Sequence, residues 1–181
     1  MEVTTTSAMV LALSVAFGAA FCDWRRGEIP NWLTLPPIFA APLAYGVAFG
    51  VEYGLHSVAA AFLCALVPYL LFRRGAMGGG DVKVFGALGA ITGFDLLVGV
   101  EIELGALVVA LVVACGALAR QGVLLRTLGN ALTQAFNPLL PVHWRQKPCT
   151  ALSAPVRIGG AILAATMAST APYIVAAWSG S

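Results

Sequence analysis

Apolar residues run along this chain in six long stretches, residues 5–22, 33–51, 55–72, 82–99, 104–120 and 156–178, and polar residues gather in the breaks. A helix needs about 20 apolar residues to cross a bilayer, because it rises about 1.5 Å per residue against a hydrocarbon core of about 30 Å. The pattern therefore predicts an all-α, polytopic membrane protein with about six transmembrane helices. Pro36, Pro37 and Pro42 interrupt the second stretch, and Pro68 the third. Proline inside a span frees backbone carbonyls, which is tolerated where neighbouring helices satisfy them. Asp95, Glu101 and Glu103 crowd the break between the fourth and fifth stretches, which places a turn there.

Composition agrees. Of 181 residues, 60% are hydrophobic and 10% charged, against about 25% charged in an ordinary soluble domain. Mean hydropathy is +0.90. The length suits one membrane-embedded domain over residues 1–181. Charge then supplies an orientation. Arg25 and Arg26 follow the first stretch, and Arg73, Arg74 and Lys83 bracket the turn after the third. Arg120, Arg126, Arg145, Lys147 and Arg157 lie in or border the connection before the sixth, which accounts for all 10 basic residues. Glu2, Glu52, Asp95, Glu101 and Glu103 fall on the opposite side. The positive-inside rule puts the three basic breaks in the cytoplasm and both termini outside.

Other classes drop out. The N-terminal run has no basic segment before it, and the large Phe21 precedes Cys22, so a cleaved leader is not expected. Cys22, Cys64, Cys115 and Cys149 form no CxxC pair, and His56 and His143 have no matching ligands nearby, so no metal or other cofactor is expected. The net charge of +2 is explained by topology, which leaves no signal for a nucleic-acid partner. The segment from about 121 to 155 carries basic residues, Pro138, Pro141 and Trp144. It reads as an interfacial loop held at headgroup level by arginine and tryptophan, or as a lid on which a partner docks.

Asp23, Glu28 and Asp81 are the acids left on the cytoplasmic side. A carboxylate at a bilayer edge is costly unless it has a partner or a task. Asp81 follows Gly78-Gly79-Gly80, and consecutive glycines let another backbone approach closely. Its plainer role is to cap the fourth helix; Lys83 can pair with a carboxylate, contact lipid phosphate or simply reach to the interface. Asp23 ends the first span beside Arg25 and Arg26, and Ile29-Pro30-Asn31 restarts the chain, with Asn31 able to supply local turn or capping bonds. Glu28 is a candidate substrate contact or a solvated loop acid.

Asp23 with Ile29-Pro30-Asn31, and Gly78-x-Gly80-Asp81-x-Lys83 58 residues on, resemble the type IV prepilin peptidase family, the GxGD intramembrane aspartic peptidases. The resemblance covers roughly residues 5–120. The chain lacks the paired-CxxC extension of the bifunctional members, so it is similar to the compact TadV/CpaA-like form of tight-adherence (Flp-type) pilus systems, and N-methyltransferase activity is expected to be absent. The resemblance implies an Asp23/Asp81 dyad that activates water, with Gly78, Gly79 and Gly80 placed to hold substrate backbone. It implies a prepilin substrate with a short basic leader ending in glycine, cut at the cytoplasmic face of a bacterial inner membrane among pilus or secretion machinery. Two other readings stay open: a small transporter or channel whose aspartates bind protons or cations, and a non-catalytic assembly protein.

Overall fold

The computed structural model describes residues 2–122, 125 and 158–179. Among the described residues, six helices have full bounds: α1 Glu2–Arg26, α2 Asn31–Phe49, α3 Val51–Arg73, α4 Gly79–Ile91, α5 Leu96–Arg120 and α6 Gly159–Ser179. The described residues contain no strand. Five helices, α1, α2, α3, α5 and α6, are long and apolar enough to cross a membrane. The 121–155 segment, for which a loop or lid was expected, lies almost wholly outside the described residues.

The fourth helix departs from expectation. Instead of a span over 82–99 it has 13 residues, about 20 Å of rise, short of the hydrocarbon thickness of about 30 Å. Local chemistry ends it early. Thr92 turns its hydroxyl back onto the Leu88 carbonyl at 2.9 Å. Asp95 then takes an extended conformation and accepts the Leu97 N–H at 2.9 Å, which makes it the N-cap of α5. Glu101 and Glu103 consequently sit inside α5, not in the turn that the sequence reading gave them. Glu103 is buried, so it does not belong with the exposed outer acids.

A short α4 is workable because protein, not lipid, surrounds it. Every residue from Val84 to Ile91 is buried. Its far end is tied to both neighbours: Ser57 on α3 donates to the Ala90 carbonyl at 2.7 Å, and Tyr45 on α2 donates to the Ile91 carbonyl at 2.7 Å. Its near end meets Asn31 at the start of α2. Helix α4 thus runs parallel to α2 and antiparallel to α3, and joins the two ends of the bundle. Small residues permit the close approach: a Cβ on Gly89 would lie 2.6 Å from the Ala60 carbonyl oxygen. Membrane bundles favour such small-residue contacts because lipid gives helices no hydrophobic drive to associate.

Met9 of α1, Phe85 and Leu88 of α4, Ile102 of α5 and Ile162 of α6 share one core. Helix α6 packs against α1 and α5, and α3 against α2 and α4. Large apolar side chains such as Val47, Phe62 and Leu111 point outward. In water such exposure would be a liability; in hydrocarbon it is the favoured state.

Candidate active site

The site forms where α1 stops and α4 starts. Helix α1 ends because Gly27 adopts φ 69° and donates its N–H to the Asp23 carbonyl at 2.9 Å. A left-handed residue just past a helix is where glycine is favoured. Asp23 therefore occupies the last full turn of α1, with its side chain buried. Pro30, extended at φ −73° and ψ 144°, leads into α2. Helix α3 stops in the same manner at Gly75, φ 73°, with the Ala76 N–H returning to the Leu71 carbonyl at 3.0 Å. That turn delivers Met77 and the three glycines to the mouth of α1.

Gly78 is the N-cap of α4 and Asp81 its third residue. The Asp81 carboxylate accepts a backbone hydrogen bond from Gly78, the reach-back contact by which an acid in the first turn satisfies a free helix donor. The capping role read from the sequence is thus present, and the same carboxyl also lines a cavity. Gly80 packs flat against the α1–α2 turn: a Cβ there would lie 3.1 Å from the Ile29 Cβ. Lys83 donates to Asn31 Oδ1 at 2.7 Å, one turn further along α4. Asn31 therefore holds α2 to α4; the local turn or capping bond expected of it is replaced by this contact across the bundle.

The result is an open cavity of about 510 Å³, lined by Asp23, residues 27–31, residues 78–81 and Lys83. This lies within the range of ligand clefts, roughly 300–1,000 Å³. All the candidate site residues, Asp23, Asp81, Gly78, Gly79, Gly80 and Glu28, contribute to its wall. Both aspartates are buried, Asp23 at 8% exposure and Asp81 at 7%. Asp81 belongs to the short helix, outside the five long apolar ones. Burial, and then the negative charge of Asp23, push its carboxyl up to about 6, while the Gly78 hydrogen bond pulls the other way. Two carboxyls close enough to influence each other in this way are equipped to share a proton. Among the described residues, no group of three or more His, Cys, Asp and Glu side chains is placed to hold a metal ion.

One contact came from outside the sequence motifs. Gly159, the first residue of α6, donates its N–H to Asp23 Oδ2 at 3.1 Å. Only the paired glycines Gly159 and Gly160 near the start of the last apolar stretch hinted at anything there.

Comparison with known proteins identifies the family. Residues 10–134 match the model of the type IV leader peptidase family, a range that includes both aspartates. A prepilin peptidase, EppA, from Methanothermobacter thermautotrophicus is 35% identical over 89 residues, which cover 47% of this chain and 23% of that protein. The chain thus spans less than a quarter of the length of this curated relative. No solved structure gives a significant match. With its two aspartates and three glycines facing one cavity inside the matched range, the chain belongs to the type IV leader peptidase family.

Proposed function

We propose that this protein is an aspartic endopeptidase that removes the short basic leader from a type IV prepilin, using Asp23 and Asp81 as its catalytic dyad. The observation that carries the reading is the shared cavity, in which two buried carboxyls from different helices face the same open space. Peptide hydrolysis needs a base to take a proton from water and an acid to supply one to the leaving amine. A carboxyl pair holding one proton between them provides both. The ionised member draws a proton from water as its oxygen attacks the scissile carbonyl. The protonated member hydrogen-bonds to that carbonyl and stabilises the oxyanion. As the tetrahedral intermediate collapses, the amine leaves with a proton from the dyad, and one shared proton is left for the next cycle. Water reaches the site because the cavity is open.

The substrate presents itself naturally to such a site. A prepilin has a basic leader followed by an apolar helix, so its scissile bond lies at the membrane boundary, where the α1–α2 and α3–α4 turns meet. The backbone at Gly78, Gly79 and Gly80 carries no side chains to obstruct an extended peptide, which suits pairing in the manner of strand addition. Glu28, on the cavity wall, supplies an acid for a basic leader. The basic residues Arg25, Arg26, Arg73 and Arg74 support the proposed orientation, with this end of the bundle at the cytoplasmic face of a bacterial inner membrane. We further propose a single membrane-embedded domain of the compact, Flp-type kind, acting beside pilus assembly machinery and without methyl transfer.

The test is reconstitution in vesicles with a Flp-type prepilin, with leader loss followed by mass spectrometry. Asp23→Asn and Asp81→Asn are each expected to abolish cleavage while the helical circular dichroism is unchanged. Full processing by either variant removes the dyad, and ion uptake with intact prepilin makes the protein a transporter.

A further inference from the structure

We propose that Gly159, at the start of α6, is a positioning residue for Asp23: its backbone N–H holds the carboxylate in place, and its missing side chain is what allows the contact. This rests on the dyad reading above and extends the site to a helix beyond the family-matched residues 10–134.

Three observations converge. The first is the hydrogen bond itself, Gly159 N–H to Asp23 Oδ2 at 3.1 Å, joining residues 136 apart in sequence. The second is steric. A Cβ on Gly159 would lie 2.8 Å from Asp23 Oδ2, 2.9 Å from Asp23 Cβ and 3.1 Å from the Ala20 Cα. The last two atoms are not the ends of flexible side chains, so α6 or α1 would have to retreat. Beside it, a Cβ on Gly160 would meet nothing within 4 Å. The requirement for glycine is therefore confined to one position of the pair.

The third observation is how α6 is fixed. Ile158 and Ile162, on either side of Gly159, are buried in the common core, where Ala16 and Ala19 of α1 are also buried. The first amides of a helix have no partner within it and carry the positive end of its dipole, so they favour a negative group. A carboxylate at the end of α1 with only its own helix to rest on would sample several rotamers. Anchored from α6, it keeps one orientation toward the cavity it shares with Asp81. Among the described residues, Asp81 and Lys83 of α4, and Glu28 of the α1–α2 turn, are the other charged groups on that wall.

The experiment compares the full chain carrying Gly159→Ala with the chain carrying Gly160→Ala, in vesicles with a Flp-type prepilin. A misplaced reacting group is expected to lower kcat on the order of a hundredfold in Gly159→Ala with little change in KM. Gly160→Ala is expected to cleave at the wild-type rate. Equal kcat for the two variants overturns the assignment. A second measurement needs no variant to fold: in 15N-glycine-labelled wild type, the Gly159 amide resonance is expected to move with pH as the dyad titrates, and a stationary resonance overturns the proposal. Asp23→Asn separates this idea from its parent. Retained cleavage there removes the dyad itself, whereas an inactive Asp23→Asn beside a fully active Gly159→Ala removes only the role of Gly159.

Discussion

At the scale of single residues, Asp81 makes the clearest physical demand. Its carboxyl in the folded protein titrates at about 6, against 3.8 for the free group, mainly through burial. Folding thus favours the protonated form. The stability associated with Asp81 is complete below about pH 3.8 and is lost as pH rises through about 6. Asp81→Asn removes that neutral-pH cost, because an amide has no charge to desolvate and keeps an oxygen for the Gly78 N–H. At about 1.4 kcal/mol per pKa unit the gain near neutral pH is on the order of 3 kcal/mol, and less to the extent that cavity water screens the charge. Unfolding in detergent is expected to show Asp81→Asn more stable than wild type at pH 7.5 and no more stable at pH 3.5; a gain of equal size at both would refute the linkage. Under the proposed dyad, the same titration limits catalysis. If Asp81 carries the shared proton, kcat falls on the alkaline side as that proton is lost, and a rate that is flat from pH 5 to 9 would contradict this role.

At the scale of elements, α4 decides the architecture. Thirteen residues reach across the bundle because every flank is covered by protein and both ends are tied. Its contact with α3 depends on backbone proximity at Gly89 and at Gly93, where a Cβ would fall 2.3 Å from the Ser57 Cα. Gly93→Ala is expected to lower stability by about 1–3 kcal/mol, the usual range for overpacking. Gly116→Ala, where a Cβ meets nothing within 4 Å, is expected to be neutral or to stabilise by up to about 1 kcal/mol. Thermal unfolding of the two variants side by side checks both, and similar midpoints would show that the α3–α4 contact yields without strain. Asp95→Ala removes the side-chain acceptor that starts α5, a loss of about 1 kcal/mol for a cap.

At the scale of the whole molecule, the bundle places its chemistry at one end and its apolar side chains outward. Val47 is 90% exposed and Phe62 74%, so detergent or lipid is part of the folded state. The basic turns predict which way it stands. In a chain whose own cysteines are replaced by alanine, Arg74→Cys is expected to react with an impermeant thiol reagent only from the cytoplasmic side. Glu52→Cys, at the opposite end of α3 and also exposed, is expected to react only from outside. Labelling of both from one side would overturn the orientation and with it the leader-peptidase geometry.

Much of this was legible in the residues. The long helices among the described residues followed from the apolar stretches, because a bilayer demands runs of a certain length whatever they pack against. Asp23, Asp81 and the glycines stood out because charge and backbone freedom are conspicuous in an apolar chain. The fourth span was misjudged because hydropathy measures the distance from water and cannot tell burial in protein from burial in lipid. Glu103 was misplaced for a related reason, since the cap at Asp95 fixes the start of α5 only once the Thr92 turn exists. That Asn31 meets Lys83, and that Gly159 reaches Asp23 across 136 residues, could emerge only from packing. Sequence specifies which side chains a helix carries, while contact between helices depends on how closely their surfaces fit in three dimensions.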